Sequence, residues 1–248
     1  MTWWADLYDD LLADQLLERE SGTVEPTLDF LLDRLDLRPG DSVYDQCCGI
    51  GSLTIPLAAR GLRALGVDQA AGYIERARRD AENAGVTAEF AAADACDFVP
   101  PEPVDAVFNW WTSFGYGTDA DNQRMLDRAF ESLRPGGRFA LDTMNLPGVL
   151  RGFQRDNVLH RETPRGRVLL LRETTIDLPS GRMLKDWTYF VDGRLETRHR
   201  SSVRLYLPDA VAAMLATAGF TDIDLLGDLT GAALTLDSPR LIALARRP

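Results

Sequence analysis

Three aspartates are spaced for recognition chemistry. Asp45, Asp68 and Asp94 each follow a short, largely apolar run that reads as a strand, and each falls at or just past its carboxyl end. Open α/β sheets bind ligands in the crevice outside those ends, so the three acids share one rim. A carboxylate there accepts hydrogen bonds from an ammonium group, a pair of hydroxyls or an exocyclic amine, and its two oxygens suit a diol. Around the first acid lies Val43-Tyr44-Asp45-Gln46-Cys47-Cys48-Gly49-Ile50-Gly51. Gly49 and Gly51 carry no Cβ, so the chain can turn sharply and run close beside a ligand.

Two phosphate-binding readings of this turn fail. A dinucleotide fingerprint needs G-x-G-x-x-G, and Thr54 stands at the third glycine's place. A P-loop ends in Gly-Lys-Ser/Thr, and no lysine is near. A bare strand-to-helix turn is the plain alternative, and the acids at the two later strand ends count against it.

The elements that hold these residues follow a βα rhythm. Strands are expected at residues 42–44, 63–67, 86–92, 104–110 and 138–144, with helices at 52–59, 70–83 and 121–133 between them. An amphipathic helical stretch is expected at residues 3–21, and a helix beginning at Pro26 before the first strand. After Pro147 the pattern changes to extended stretches at 167–176, 183–191 and 195–206, the last two separated by Asp192-Gly193, a strong hairpin signal. A helix at 208–218 and strands at 222–226 and 240–245 resume the first pattern. Alternating strands and helices imply a mainly parallel sheet covered on both faces.

The chain has 248 residues, 45% apolar and 26% charged, with a net charge of −11. Such a composition supports a substantial globular core. The negative balance argues against broad contact with nucleic-acid phosphates, which takes Lys and Arg, and favours a small-molecule partner. Three cysteines, an odd number, speak against a disulfide framework. Cys47 and Cys48 are adjacent and lack the spacing of a zinc knuckle, so no metal is expected. No apolar run approaches the roughly 18–20 residues of a membrane span. Asp6, Asp9 and Asp10 stand where a signal peptide would be basic, so the cytoplasm is the expected compartment. The oligomeric state is left open between monomer and homodimer.

The stretch from Asp45 to Gly51 resembles the first motif of the class I S-adenosylmethionine-dependent methyltransferases, an acidic residue followed by G-x-G-x-G. Cys47 stands where the family's first glycine falls, and a cysteine is small enough for a tight turn. The likeness continues in Thr112-Ser113-Phe114-Gly115-Tyr116, Leu133-Arg134-Pro135-Gly136-Gly137-Arg138, Arg204-Leu205-Tyr206, Gly227-Asp228 and Asp237-Ser238-Pro239-Arg240. It covers nearly the full chain, and its motifs specify cofactor and fold far better than acceptor. It implies an α/β, Rossmann-like, doubly wound, mainly parallel seven-stranded sheet with an inserted antiparallel β lid. Residues 1–146 would form a helical cap and cofactor-binding core, 147–207 the lid and acceptor-binding insertion, and 208–248 the completion of the core sheet.

The implied cofactor is S-adenosylmethionine, leaving as S-adenosylhomocysteine. Asp45 is expected at its ammonium group, Gly49 and Gly51 beside its methionine part, and Asp68 at its ribose hydroxyls. Asp94 is expected at the adenine amino group, with backbone near Ala95 and Cys96 at the ring. Cys47, Gln69 and Asn109 complete the expected contacts. Trp3, Trp4 and Tyr8, on the N-terminal helix, either pack against the main domain or cap the cofactor, with Tyr8 as the capping contact.

Methyl transfer is an in-line displacement that chiefly needs acceptor and methyl group held about 3–3.5 Å apart. A base helps a hydroxyl or ammonium acceptor. Tyr116, whose loop leaves the tip of the fourth strand, His160 and His199 are the catalytic candidates, although each histidine also reads as a surface residue among arginines. Trp110, Tyr116, Trp187, Tyr189, Arg204 and Tyr206 are the acceptor-pocket candidates, and strand alternation turns only some of the lid residues inward. An aromatic wall suits a cationic amine or a flat ring, and Arg204 suits an acidic group. N- or O-methylation of a small molecule is the expected activity, with C-methylation behind it. The alternative is a cofactor-binding protein that does not methylate.

Overall fold

Every residue of strand β1 (Ser42–Gln46) is buried, as a central strand covered on both faces requires. A computed structural model of the chain describes Leu17, residues 21–163 and residues 166–248. In it β1 pairs in parallel with β2 (Arg63–Asp68) on one side and β4 (Val104–Asn109) on the other. β3 (Glu89–Ala92) lies beyond β2, and β5 (Leu133–Met144) beyond β4, both parallel. β11 (Arg240–Arg246) joins β5 antiparallel, and β10 (Thr221–Leu226) pairs with β11 to complete the order β3-β2-β1-β4-β5-β11-β10. The order reverses between β1 and β4, which opens a crevice at their carboxyl ends.

Helices cover both faces. On one, Leu28 and Leu31 of α1 (Ser21–Arg34) and Leu57 of α2 (Thr54–Ala59) pack with Phe108, Ala140 and Ile242. On the other, Leu126 and Ala129 of α4 (Asp119–Ser132) and Leu215 of α6 (Pro208–Ala218) pack with Tyr44, Val107 and Leu141. Neighbours Val107 and Phe108 thus serve opposite cores, as the two-residue strand period dictates. Each such fully buried Leu or Phe contributes roughly 1.5–3 kcal/mol. α3 (Ala71–Asn83) packs Ile74 and Ala77 against Phe90 and Cys48 beside the β1–α2 turn.

A second, antiparallel sheet of four strands is built from β6 (Asp156–Thr163), β7 (Gly166–Asp177), β8 (Arg182–Val191) and β9 (Arg194–Arg204), in that order. Asp192 and Gly193, at φ 48° and 78°, form the expected two-residue hairpin turn between β8 and β9.

Several details differ from expectation. β6 and the short α5 (Leu146–Arg151) have no counterpart in the expected elements. Pro26 lies inside α1 rather than at its start. β3 begins at Glu89 and not at residue 86. β5 runs through the Pro135-Gly136-Gly137 turn: Leu133 pairs with Val104 and Arg138 with Ala106, so the residues between bulge out. Trp3, Trp4 and Tyr8 lie outside the described residues. No described helix is long and apolar enough to cross a membrane.

Candidate active site

The β1–α2 turn is shaped first by its backbone. Cys47, Gly49 and Gly51 have φ of 69°, 56° and 79°. Left-handed backbone suits glycine, so Cys47 carries a cost of about 1–2 kcal/mol. A Cβ on Gly51 would stand 3.2 Å from the Phe90 ring, and one on Gly66 2.8 Å from Cys48 Sγ. The turn is therefore packed closely from below. Asp68 holds it from the side: Oδ2 accepts the Gly49 N–H and Oδ1 the Ala70 N–H, both at 2.9 Å. Burial pushes the Asp68 carboxyl above its ordinary range, against the pull of these amide donors.

Asp45 lies beneath the rim. Its Oδ2 accepts the Thr54 hydroxyl at 2.6 Å. Burial pushes its carboxyl up to about 7, the Thr54 bond opposing and the nearby Asp68 charge adding. The residue that excludes the dinucleotide fingerprint is thus the one that anchors the first acid.

Cys47, Asp68, Gln69, Asp94, Ala95 and Cys96 line one cavity of about 260 Å³. Asp94 Oδ1 accepts the Cys96 N–H at 2.8 Å. Burial, with the Asp94 charge, pushes the Cys96 thiol up to about 12, and burial likewise raises Cys47 and Cys48. All three thiols are therefore neutral at pH 7 and poor nucleophiles. Among the described residues no group of three His, Cys, Asp or Glu is placed to hold a metal ion. Asn109 lies buried behind Cys47 and Met125 of the lining: its Nδ2 donates to Gln46 Oε1 at 3.3 Å, and its Oδ1 has no partner among the described residues.

The far wall comes from the loop after β4 and from α4, through Ser113, Tyr116, Gly117, Asp121, Asn122, Arg124 and Met125. The loop starts under strain, with Trp111 and Thr112 at φ 58° and 72°, a conformation that costs about 1–3 kcal/mol per residue and persists only when held. Asp142 and Arg240 hold it. Asp142 Oδ2 accepts the Trp111 N–H at 3.0 Å, Arg240 donates to Thr112 Oγ1 at 2.6 Å, and the two side chains form an ion pair.

The lid's end holds the rest of the loop. Arg204 N–H donates to the Gly115 carbonyl at 2.7 Å, and a Cβ on Gly115 would fall 2.5 Å from the Arg204 carbonyl. Arg182 donates to the carbonyls of Tyr116 and Gly117 at 3.0 and 3.1 Å. Gly115 N–H donates to Asn122 Oδ1, Asn122 Nδ2 to Tyr206 Oη, and Tyr206 Oη to Asp119, which also takes Arg204 Nε. Hydrogen bonding to Tyr206, with the Arg204 charge behind it, holds the Asp119 carboxyl below its usual range.

This geometry sorts the expected site residues. Tyr116 shares the cavity with the Asp68–Cys96 rim. Trp110 does not: it is buried under α1, its ring 5.8 Å from that of Phe30. Arg204 and Tyr206 are committed to the Asp119 network, and the guanidinium of Arg204 lies 4.8 Å over the Tyr206 ring. They position the loop rather than face an acceptor. Cross-strand pairing puts Trp187, Tyr189 and His199 on the lid face that also carries Leu170 and Val203. Val203 meets the Gly115 backbone, and Leu17 packs against both the Leu170–Tyr189 cluster and Ile50 with Tyr73, so this face looks toward the rim. His160 sits exposed on the opposite face, paired with Leu169, and is not brought to the site.

The α4 residues of the wall escaped the sequence reading. The signal was present: Thr118 and Asp121 form a capping box that starts the helix at Asp119. From that start, Met125 follows Asn122 by three residues and Asp121 by four, which puts the three on one side.

A family model for a methyltransferase domain matches residues 43–137, the span from β1 to the turn before Arg138. Among curated proteins, the chain is 32% identical over 180 residues to 27-O-demethylrifamycin SV methyltransferase of Amycolatopsis mediterranei, covering 68% of this chain and 65% of the relative. It is 33% identical over 116 residues to the S-adenosyl-L-methionine-dependent Diels-Alderase iccD of Talaromyces variabilis, covering 45% of this chain and 39% of that one. The chain thus spans less than two thirds of the length of these relatives. An S-adenosylmethionine-dependent methyltransferase structure from Clostridium acetobutylicum superposes with a TM-score of 0.79 at 18% identity, covering 98% of this chain and 97% of the other. Motif, matched domain and fold agree: residues 43–137 carry a methyltransferase domain, and the chain has the fold of the S-adenosylmethionine-dependent methyltransferases.

Proposed function

We propose that the protein transfers a methyl group to a nitrogen or oxygen of a small-molecule acceptor held between the Tyr116 loop and the lid. The observation that carries this reading is the single cavity uniting the Asp68–Cys96 rim with Tyr116. S-adenosylmethionine would supply an electrophilic methyl group on a sulfonium centre. The chain's residues fit it: each Asp68 oxygen keeps a lone pair for a ribose hydroxyl, and Asp94 stands where an amino group can be taken. The unpartnered Asn109 Oδ1 offers a buried acceptor at the tip of β4. Asp45, ionised, favours an ammonium group above it.

The remaining residues position and exclude. The Asn122–Tyr206–Asp119 network and Arg182 fix the loop, Asn122 taking the Gly115 N–H and Arg182 the Tyr116 carbonyl. Fixing the acceptor beside a preformed methyl site is the main catalytic requirement. Tyr116 can accept or relay the acceptor's proton, and His199, on the inner lid face, is the second candidate for that task.

A second reading comes from the Diels-Alderase relative: the cofactor is bound and not consumed. One experiment separates the two. The protein is incubated with S-adenosylmethionine and a panel of small amines, phenols and hydroxy acids, and products are read by mass spectrometry. Release of S-adenosylhomocysteine in step with a methylated acceptor supports methyl transfer. Tight cofactor binding without that pair of products across the panel supports the second.

A further inference from the structure

The lid's inner face carries two cations that no carboxylate among the described residues meets. Arg172 pairs with Trp187 across β7 and β8, and Lys185 pairs with Thr174 on the same face. Their charged ends lie 5.4 and 5.8 Å from the Trp187 ring centre. Arg172 donates to Asn157 Oδ1, a neutral group, at 2.7 Å, and its buried Nε has no partner among the described residues. Among the described residues no acid lies in salt-bridge range of either cation. Other half-buried arginines of this protein are satisfied: Arg240 by Asp142, Arg204 by Asp119, and Arg182 by backbone carbonyls.

Two adjacent cations on a half-buried sheet face are costly. Like charges near one another across strands destabilise a sheet, and a desolvated ion needs a partner. Their strand neighbours show what plain packing uses there, since Val168 and Leu170 are fully buried. The floor between the cations is the Trp187 ring, anchored by its Nε1–H to Ser201 Oγ at 2.8 Å. The same face continues to Val203, which touches the Tyr116 loop at Gly115.

We propose that Arg172 and Lys185 bind an anionic oxygen group, carboxylate or phosphate, carried by the acceptor, with Trp187 beneath the acceptor's body. The inference rests on the methyl-transfer reading above and adds the acceptor's charge class to it. A guanidinium fork matches either oxyanion in two-point geometry, and the ammonium supplies a second charge. Burial, with Arg172 beside it, pulls Lys185 down to about 8, and among the described residues no anion offsets either cost. An acceptor with one acidic group would sit with that group on the lid and its nucleophile toward Tyr116.

The test is calorimetric titration of the full chain, loaded with S-adenosylhomocysteine, with benzoate, phenyl phosphate and benzamide. At least one anion should bind about tenfold more tightly than the neutral amide, the worth of one charge-assisted hydrogen bond. Which anion binds more tightly distinguishes a carboxylate from a phosphate acceptor. Lys185→Met and Arg172→Gln should each remove that preference and leave benzamide and S-adenosylhomocysteine affinities unchanged. Lys185→Met should also raise Tm of the ligand-free protein, since it deletes an uncompensated charge. No preference for an anion in the wild type, a preference surviving both variants, or a lowered Tm in Lys185→Met would overturn the proposal. Failure to bind S-adenosylhomocysteine in the loading step would instead sink the methyl-transfer reading itself.

Discussion

The rim of the parallel sheet and the inner face of the lid handle charge in opposite ways. On the rim, acids are committed to the backbone: Asp68 takes the amides of Gly49 and Ala70, and Asp142 takes that of Trp111 together with Arg240. On the lid, Arg172 and Lys185 meet only a neutral amide and an aromatic ring among the described residues. The first arrangement fixes a shape before any ligand arrives. The second leaves charge for a ligand to complete. A fixed rim suits a cofactor of one structure, and an open lid face suits an acceptor that defines the particular enzyme.

Breaking the rim should have the largest effects. Arg240→Met strands the Asp142 carboxylate in a buried position, and should cost about 3 kcal/mol of stability in denaturant titration. A loss below about 1 kcal/mol would mean that the pair does not hold the Trp111–Thr112 loop. Asp68→Ala removes the anchor of the turn and the expected ribose partner, and should weaken S-adenosylmethionine binding about 100-fold by calorimetry, with circular dichroism unchanged.

At the seam between the regions the effect should fall and change character. Tyr116→Phe should lower turnover about tenfold and leave cofactor affinity nearly untouched. The reverse pattern would move Tyr116 to the cofactor side.

Asp45 sharpens the comparison through pH. Its carboxyl titrates at about 7 in the fold against an ordinary 3.8. The unfolded chain loses this proton first, so the ligand-free fold loses stability as pH rises from about 4 to about 7. A cofactor ammonium group favours the ionised form instead, so S-adenosylmethionine affinity should rise about tenfold from pH 6 to pH 8. Asp45→Asn should flatten that rise. The smallest expected change is at Cys47, where Cys47→Gly should relieve left-handed strain and stabilise the protein by about 1 kcal/mol in thermal unfolding.

The two regions also differed in how far their sequence could be read. On the rim, residue type follows from backbone need: glycines at φ 56° and 79° and an acid at a strand end have few substitutes. The succession of core strands along the chain and the Asp192-Gly193 hairpin were legible for the same reason. Facing was not. Asn109 and Trp110 were both expected at the pocket, yet adjacent positions of an extended chain point to opposite faces, and Trp110 goes to Phe30. Val203 and Arg204 divide in the same way. β6 escaped because it is an edge strand whose exposed positions, among them Asp156 and His160, break the apolar signal. On the lid, both faces carry charged and aromatic residues, so period alone cannot tell inner from outer. Arg204 therefore drew the expectation of an acid-binding arginine, although its guanidinium is taken up by Asp119 and the Tyr206 ring.

The most direct measurement is calorimetric titration of the purified protein with S-adenosylmethionine, with nicotinamide dinucleotides as controls. Micromolar binding of S-adenosylmethionine alone, tightening from pH 6 to pH 8, is the predicted result. A folded protein that ignores S-adenosylmethionine, or that takes a dinucleotide as readily, would contradict the account at its centre.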